Sequence, residues 1–298
     1  MRLRLAWFLV WAVTEPSSSE PCLAILGPGL LGGSLAMAVR EVMPETRVQV
    51  WARRSEVLDA VRERTGCAVA TTDVAEAAAG ATLVVLATPV ENMATLAREL
   101  AALPLEPTAI ITDVGSVKGS VTRELAPLFE TTSASFIGSH PMAGSEKSGI
   151  EAARADLFRG AACIVTPEPH SPSDRVKRLE AFWRAVGCRM VSLNADVHDH
   201  HVARVSHLPH FMASITRLAA LKADGSAAAC IGPGFRDTTR VADGDPDLWV
   251  GIARQNRAEL QAALRDARAN LDRALELLAT EDDAGLHQFL SEARALRG

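Results

Sequence analysis

A glycine pattern near the start of the chain restricts the fold more than any other feature of the sequence. Gly27, Gly29 and Gly32 follow the spacing G-x-G-x-x-G, directly after the apolar run 22–26 and ahead of a helical stretch. In a strand–turn–helix unit, the first glycine allows a tight turn, the second lets the backbone approach a pyrophosphate, and the third lets the helix pack on the strand. Free N–H groups and the positive end of the helix then hold the phosphates. The pattern therefore predicts a dinucleotide site at these glycines and at Leu30, the residue that opens the helix.

Short apolar runs alternate with helical stretches through the first half of the chain. This alternation predicts the α/β class, with a doubly wound parallel sheet of the Rossmann type. After Asn194 the chain is almost wholly helical and rich in Ala, Leu, Arg and Glu. Long Ala-rich helices usually bury one face against a partner, so we expect a homodimer through these helices. The predicted strands are 22–26, 48–51, 83–87, 109–112, 135–138 and 162–166, and the later helices include 176–186 and 248–278, with interruptions at 225–234 and 243–247.

The chain is divided into three segments by this pattern. We interpret residues 1–20 as an N-terminal extension, residues 21–193 as an NAD(P)-binding domain and residues 194–298 as a helical domain for substrate binding and dimerisation. The extension resembles a short signal peptide, with two arginines before the apolar run 5–13. That run of about nine residues is too short to span a bilayer, which needs roughly 20. We favour an upstream start codon over export, because a protein that uses NAD(P) belongs in the cytoplasm with its cofactor.

Composition argues against several classes of protein. The formal net charge is -5 and no block of lysine and arginine stands out, so a nucleic-acid surface is not expected. Apolar residues make up 48% of the chain, as in a folded globular protein. The five cysteines are scattered without a C-x-x-C pair, which argues against a disulfide framework or a zinc site and favours reduced thiols.

The residues after the second predicted strand bear on the choice of cofactor. NAD-binding domains usually carry an Asp or Glu there, which bonds the ribose 2′-hydroxyl. This chain has Arg53 and Arg54 instead, and a guanidinium pairs well with a phosphate. The sequence therefore favours NADP or mixed use of NADP and NAD, unless the two arginines form only a solvated helix start. Thr88 and Pro89, which close the next strand, are predicted to border the same cofactor.

Two polar residues lie just past predicted strand ends, where ligands bind in sheets of this kind. His140 is in the segment 138–149, which we expect to be a strand-to-loop turn at the sheet edge. An imidazole with a near-neutral pKa can take a proton from a substrate hydroxyl while the same carbon gives up hydride. Ser116 follows the strand 109–112 and is a second candidate for the site. Its alternative role is a helix N-cap for a run starting near Val117.

The helical half contains a cluster of histidines. His207 and His210 are three residues apart and would share one face of a helix, where either could line a substrate pocket. His198, His200 and His201 are expected to form a solvent-exposed helix start. Five histidines over this stretch raise the question of a metal, but the spacing is not that of a zinc enzyme and no Cys or Glu pattern accompanies it. No metal is therefore expected.

Three segments resemble the signatures of the prephenate/arogenate dehydrogenases, and they occur in the same order. They are Gly-Ser-His-Pro-Met-Ala-Gly-Ser-Glu-Lys-Ser-Gly at 138–149, Val-Ser-His-Leu-Pro-His at 205–210, and Gly-Phe-Arg-Asp-Thr-Thr-Arg-Val-Ala at 234–242. The resemblance covers roughly residues 22–290. It implies oxidative decarboxylation of prephenate to 4-hydroxyphenylpyruvate, with hydride transfer to NAD(P), in tyrosine biosynthesis. Neither an ACT regulatory domain nor a fused chorismate mutase is expected within the 298 residues.

The resemblance also implies roles for individual residues. Ser116 would contact the substrate hydroxyl beside the nicotinamide, and Glu146 would help control access to the pocket. Arg240 would bind a substrate carboxylate, with Arg236 placed to assist. Trp249 would reach the site, from its own subunit or from the other one, unless it serves only to pack helices together.

Three alternatives stay open beside this interpretation. Prephenate and arogenate differ only by a keto or amino group, so an arogenate or dual-specificity cyclohexadienyl dehydrogenase is the first. The second is another β-hydroxyacid-type dehydrogenase, which would use a helical lysine and would leave the segment 138–149 without a role. The third belongs to a different class, a regulator that senses NAD(P) without turnover and has no need of His140, Ser116 and Arg240 together.

Overall fold

The computed structural model describes residues 21–145, 147–222 and 224–296. Residues 1–20 lie outside the described part, so their interpretation as an extension stays a prediction. Of the helices that are described, none is long and apolar enough to cross a membrane.

Within the described residues, six parallel strands form the central sheet of the first half, in the order β3-β2-β1-β4-β5-β6. Helices connect the successive strands, which confirms the predicted doubly wound arrangement; the three-residue β3 was not predicted. The strands are β1 Cys22–Leu26, β2 Arg47–Trp51, β3 Val69–Thr71, β4 Leu83–Leu86, β5 Ile110–Asp113 and β6 Ser135–Phe136, and the helices are α1 Leu30–Val42, α2 Leu58–Thr65, α3 Val74–Ala78, α4 Val90–Ala101 and α5 Gly119–Phe129.

Two hydrophobic cores lie on opposite faces of this sheet. Leu23 and Ile25 of β1 belong to one core, while Ala24 and Leu26 belong to the other. All four are completely buried. Successive side chains of a strand point to opposite faces, and helices cover both faces of a parallel sheet. This is why the central strands are apolar at every position instead of alternating with polar residues.

A second sheet, of three strands among the described residues, continues from the edge of the first. Its strands β7 Gly138–Pro141, β8 Ala162–Thr166 and β9 Arg189–Ser192 lie in that order, with α6 Ser173–Ala185 between the last two. β7 runs antiparallel to β8, and β8 runs parallel to β9. The expectation of a strand-to-loop turn at His140 was therefore wrong. The chain pairs again directly after β6, and His140 lies inside β7, opposite Ile164.

The second half is helical, as predicted. β9 ends at Ser192 and the first helix of this half begins at Ala195; the division of the chain at residues 193/194 stays a prediction. A five-residue π-helical segment, Ala203–His207, joins the first two helices, and such segments are frequent at functional sites. The helices are α7 Ala195–Val202, α8 Leu208–Leu221, α9 Pro233–Thr239, α10 Pro246–Gln255, α11 Arg257–Ala279 and α12 Asp283–Ala295, with short 3₁₀ helices at Gly225–Cys230 and Arg240–Asp243.

The stretch predicted as one helix over 248–278 is divided at Asn256. This residue has φ -114° and ψ 35°, outside the helical region. Its side chain is buried, and its Nδ2 donates a hydrogen bond to the backbone oxygen of Asp199 at 2.8 Å. The helix is interrupted because a tertiary hydrogen bond fixes Asn256, a cause that helical periodicity does not reveal.

We expect Phe182→Ala to lower the free energy of unfolding by about 3–5 kcal/mol, the usual cost of removing a buried aromatic ring. Phe182 is completely buried and contacts Trp183 edge to face. The measurement is urea unfolding followed by circular dichroism at one protein concentration. Val42→Ala, at a position 40% exposed on α1, is the control and should change stability much less. Equal losses for the two variants would contradict the assigned core.

Candidate active site

The turn between β1 and α1 requires glycine at two positions. Gly27 has φ +116°, and a Cβ there would lie 2.6 Å from the backbone oxygen of Ala87. A Cβ on Gly32 would overlap the backbone oxygen of Gly27. Any side chain at these positions would push α1 away from the sheet. The close contact between helix and strand leaves the start of α1 facing the space above the turn.

A cavity of about 560 Å³ opens above this turn. A Cβ on Gly29 would meet no described atom within 4 Å, and no described side chain caps the start of α1. Thr88 Oγ1 is buried without a hydrogen-bond partner among the described residues. Free helix N–H groups, open space and an unpartnered hydroxyl fit a dinucleotide pyrophosphate and its nicotinamide. The residues predicted to bind cofactor that line the cavity are Gly27, Gly29, Arg53, Arg54, Thr88 and Pro89.

The edge of this cavity next to β2 is basic. The four residues after β2 are Ala52, Arg53, Arg54 and Ser55, and both arginines are exposed. Glu99 of α4 also lines this cavity. The sequence places no carboxylate directly after β2, but the fold brings one to the same cavity from another element.

A chain of buried hydrogen bonds supports His140. Its Nδ1 lies 2.8 Å from Nε2 of His198, and Nδ1 of His198 lies 2.8 Å from Oδ1 of Asp199. All three side chains are buried. A carboxylate only accepts hydrogen bonds, so His198 carries its proton on Nδ1 and accepts at Nε2. His140 must then carry its proton on Nδ1, which leaves the lone pair on Nε2 available as a base.

The electrostatic environment keeps these groups in the required forms. Burial, followed by the neighbouring His198, Lys118 and His207, lowers the pKa of His140 well below its usual 6.5. Burial also lowers the pKa of His198. At Asp199 burial acts in the opposite direction, but hydrogen bonds from His198 and from the backbone N–H groups of Lys118 and Gly119 lower its pKa overall. At neutral pH the hydrogen-bonded series Asp199–His198–His140 therefore consists of one carboxylate and two uncharged imidazoles.

Several of the residues predicted to bind substrate lie together beside this chain. Trp249 stacks on His210, with ring centroids 3.6 Å apart, and contacts His207 edge to face at 6.1 Å. His207 lies next to the backbone of Ser116. Nε2 of His207 and Nδ1 of His210 are buried without hydrogen-bond partners among the described residues. Unpartnered buried polar atoms are costly in a protein interior, and these two nitrogens are available to hydrogen-bond a polar ligand.

Ser116 does not cap a helix. α5 begins at Gly119, and Lys118 occupies its N-cap position. The capping role considered for Ser116 was therefore wrong, and the residue lies in the loop between β5 and α5.

The predicted arginines lie on exposed surface next to these rings. Arg236 is on α9, and Arg240 begins the 3₁₀ helix Arg240–Asp243. Val241 of that helix has its backbone beside His210. Arg217 of α8 fixes the segment by donating to Asp243 Oδ1 at 2.6 Å and to the backbone oxygen of Thr239 at 2.9 Å. Arg240 therefore begins a segment that is anchored next to the stacked His210 and Trp249.

The structure corrects the prediction for one histidine and adds two residues that the sequence analysis did not single out. The expectation that His198 is solvent-exposed was wrong, because it is completely buried against His140, whereas His200 and His201 are exposed as predicted. Asp199 and Lys118 were missed. The spacing of His198 from the apolar Val202, four residues later on the same helix face, was a signal that could have indicated its burial.

The predicted role of Glu146 and the expected absence of a metal both stay predictions. Glu146 lies outside the described residues. For the expected absence of metal, no group of three or more His, Cys, Asp or Glu side chains in residues 21–145, 147–222 and 224–296 is arranged to hold a metal ion.

The sequence matches two family descriptions in tandem. Residues 35–192 match "Prephenate dehydrogenase, nucleotide-binding domain" and residues 194–292 match "Prephenate dehydrogenase, dimerization domain". The cyclohexadienyl dehydrogenase of Zymomonas mobilis is 32% identical over 279 residues, which cover 92% of this chain and 94% of that protein.

Solved structures agree with these matches. Prephenate dehydrogenase from Aquifex aeolicus, in complex with hydroxyphenyl propionate and NAD+, superposes with a TM-score of 0.85 at 28% identity, covering 94% of this chain and 98% of that one. Synechocystis arogenate dehydrogenase superposes with a TM-score of 0.79 at 28% identity, covering 92% and 98%.

With these matches, the dinucleotide cavity and the buried histidine define a class. The protein is an oxidoreductase that uses a nicotinamide cofactor. More particularly, the chain belongs to the prephenate dehydrogenase family, whose two domain descriptions together span residues 35–192 and 194–292.

We expect His140 and His207 to be uncharged at neutral pH in the ligand-free protein. Burial lowers the pKa of His207 to about 4 and that of His140 well below 6.5. The measurement is a pH titration of 13C-labelled histidine rings by NMR, with His140→Asn and His207→Asn assigning the resonances. In the urea-unfolded chain the same rings should titrate near about 6.5. A folded-state midpoint at or above that value for His140 would contradict the assignment.

Proposed function

We propose that this protein oxidatively decarboxylates prephenate to 4-hydroxyphenylpyruvate, with hydride transfer to NAD(P), as a step of tyrosine biosynthesis. The observation that carries the proposal is the hydrogen-bonded series from Asp199 through His198 to His140, within a chain of the prephenate dehydrogenase family. It supplies a neutral imidazole whose Nε2 can accept a proton, which is what oxidation of a ring hydroxyl requires.

His140 acts as the general base in this proposal. Its Nε2 takes the proton of the ring hydroxyl, and the positive charge that develops on the imidazole is stabilised through His198 by the Asp199 carboxylate. A nicotinamide held at the glycine turn would supply the acceptor for the hydride that leaves the same carbon. Ser116, in the loop after β5, hydrogen-bonds the reacting hydroxyl and orients it. Loss of carbon dioxide then makes the ring aromatic, which drives the reaction forward.

The surrounding residues bind the rest of the substrate. Prephenate is a dianion, and the guanidinium of Arg240 pairs with one carboxylate in a bidentate manner, with Arg236 assisting. The unpartnered ring nitrogens of His207 and His210 offer hydrogen bonds to the polar groups of the substrate. Trp249 covers the ring face of His210 and helps exclude water. Glu146 controls access to the pocket.

A second substrate is supported by two of the similar proteins. The Zymomonas mobilis relative is named a cyclohexadienyl dehydrogenase and covers nearly the whole of this chain, and the Synechocystis structure is an arogenate dehydrogenase. Use of arogenate, alone or together with prephenate, is therefore the alternative proposal. A regulator that binds NAD(P) without turnover is less well supported, because it would have no use for a buried base.

We propose that the protein prefers NADP as its cofactor and also uses NAD. Arg53 and Arg54 lie at the cavity directly after β2, where a 2′-phosphate would find two guanidiniums. Glu99 lies in the same cavity and is the group that would serve the free 2′-hydroxyl of NAD.

We further propose that the protein is a cytoplasmic homodimer joined through its C-terminal helices. Leu271, Leu275 and Leu278 of α11 and Leu290 of α12 are between 56% and 60% exposed. The three leucines of α11 follow helical spacing, so they form one apolar face. The second half of the chain matches a dimerisation domain, and a second copy would cover this face.

We expect the purified protein to reduce NAD(P) with prephenate, and His140→Asn to lower kcat by about 10²–10⁴. Reduction is followed by absorbance of the reduced cofactor, with prephenate and arogenate each tested against NAD and NADP. His201→Asn, at an exposed position of α7, is the matched control and should keep wild-type kcat. Cofactor binding by His140→Asn, followed by fluorescence quenching, should also be retained.

Three outcomes separate the candidates. Turnover of arogenate alone would keep the mechanism and change the substrate. A folded protein that binds NAD(P) but turns over neither compound would support the regulator, and wild-type kcat in His140→Asn would remove His140 as the base.

We expect Arg53→Ala and Arg54→Ala to raise KM for NADP more than KM for NAD, since only NADP carries the 2′-phosphate that a guanidinium binds. Losses of roughly 1.5–3 kcal/mol, or about 10–150-fold in KM, are the usual size for hydrogen bonds to charged groups. Glu99→Gln, with the charge removed on α4, should instead raise KM for NAD. Equal changes with both cofactors would remove the basis for an NADP preference.

A further inference from the structure

Lys118 is a buried lysine that the proposed mechanism does not yet use. It follows β5 and its side chain is completely inaccessible to solvent. Its Nζ forms an ion pair with the carboxylate of Asp113 and donates a hydrogen bond to the backbone oxygen of Ser139 at 3.0 Å. Burying a charged amine is costly unless it is paired and hydrogen-bonded, and here both conditions are met.

Both members of this pair hold the residue before His140. Oδ1 of Asp113 accepts a hydrogen bond from the backbone N–H of Ser139 at 3.3 Å, and Ser139 Oγ donates to the backbone oxygen of Asp113 at 2.7 Å. The oxygen that Lys118 contacts belongs to the peptide bond between Ser139 and His140. The ion pair therefore fixes the backbone of β7 to the end of β5 at the base itself.

The same lysine also holds the other end of the hydrogen-bonded series. Its backbone N–H donates to Oδ1 of Asp199 at 2.7 Å, and that of Gly119 donates to Oδ2 at 2.8 Å. Lys118 thus contacts the strand that carries His140 through its side chain, and the carboxylate behind His198 through its backbone.

We propose that Lys118 and Asp113 form a positioning pair for the reaction: they fix His140 against His198, and the Lys118 ammonium disfavours the protonated form of His140. The proposal rests on the proposed role of His140 as base. It assigns to an ion pair outside the substrate pocket the task of keeping that base unprotonated before substrate binds.

The charges around His140 support this role. Burial, His198, Lys118 and His207 all lower its pKa. Burial also lowers the pKa of His198 and of His207, whereas Lys118 is ion-paired with Asp113. Burial lowers the pKa of Lys118 itself, while Asp113 and then Asp199 favour its ammonium form. On β8, burial raises the pKa of Cys163, so its thiol is uncharged. The carboxylate of Asp113 contacts the backbone N–H of Ser139, next to His140, and the carboxylate of Asp199 is hydrogen-bonded to His198.

The test compares Lys118→Met with the charge-neutral pair Asp113→Asn/Lys118→Met. The single variant leaves a buried carboxylate without its partner, which can prevent folding, so the double variant is the decisive one. Lys177→Met removes the same charge at an exposed position of α6 and is the matched control. Each variant is checked for folding by circular dichroism and for NAD(P) binding.

Two readouts apply to each variant. The first is the NMR titration of His140, which needs no turnover, and the second is the pH dependence of kcat and of kcat/KM. Removing the ammonium raises the pKa of His140, so the acid limb moves to higher pH, by about one unit for Lys118→Met. The double variant also loses the Asp113 carboxylate, which acts in the opposite direction, so its shift has the same sign and is smaller. We expect that shift in both readouts for the double variant, together with a lower kcat and an unchanged KM for NAD(P). Lys177→Met should show none of these changes.

Other results would overturn the proposal. A folded double variant whose His140 titration matches the wild type would do so, as would a nitrogen NMR spectrum of the wild type showing Lys118 as a neutral amine at pH 7. The second measurement needs no variant and decides the matter even if the substitutions do not fold. If His140 shifts as expected but the wild type turns over neither prephenate nor arogenate, the proposed function and the positioning role in that reaction fail, while the effect of the ion pair on the protonation of His140 stands.

Discussion

The carboxylate of Asp199 is the constraint on which the rest of the site depends. It accepts hydrogen bonds from His198 on its own helix and from two backbone N–H groups in the loop after β5. One side chain thus joins the helical half of the chain to the nucleotide-binding sheet. Because His198 must donate to this carboxylate, the tautomers of His198 and His140 are both determined, and the basic lone pair is directed to Nε2.

Burying these polar groups between the helical half and the nucleotide-binding sheet lowers the free energy of unfolding. Two uncharged imidazoles and an ion pair are buried where apolar side chains would pack with less desolvation. The gain is preorganisation, since groups that already point at developing charge need no rearrangement during reaction. Asn256 belongs to the same arrangement. It lies at the break between α10 and α11, and its side chain donates a hydrogen bond to the backbone of Asp199.

Features that depend on neighbours in sequence were predicted well. The glycine turn, the apolar strands of the central sheet and the helical second half all follow from patterns within a few residues, and the structure has each of them. The errors share a cause. β7 pairs with β8, more than twenty residues further along the chain. At the break between α10 and α11, the side chain of Asn256 hydrogen-bonds a residue of another helix. His198 was expected at the surface because its sequence neighbours are polar, while its partners are distant.

The sequence by itself determined that the chain binds a dinucleotide, that a histidine-containing segment follows the nucleotide-binding sheet, and that the family is that of the prephenate dehydrogenases. These conclusions rest on short motifs, whose backbone requirements are local. Only the tertiary structure decided the hydrogen-bond partners and the burial of His140, because His198 is 58 residues away and Lys118 is 22 residues away in the other direction. Burial and hydrogen bonding set the protonation of an imidazole, and neither can be read from the residues beside it in the chain.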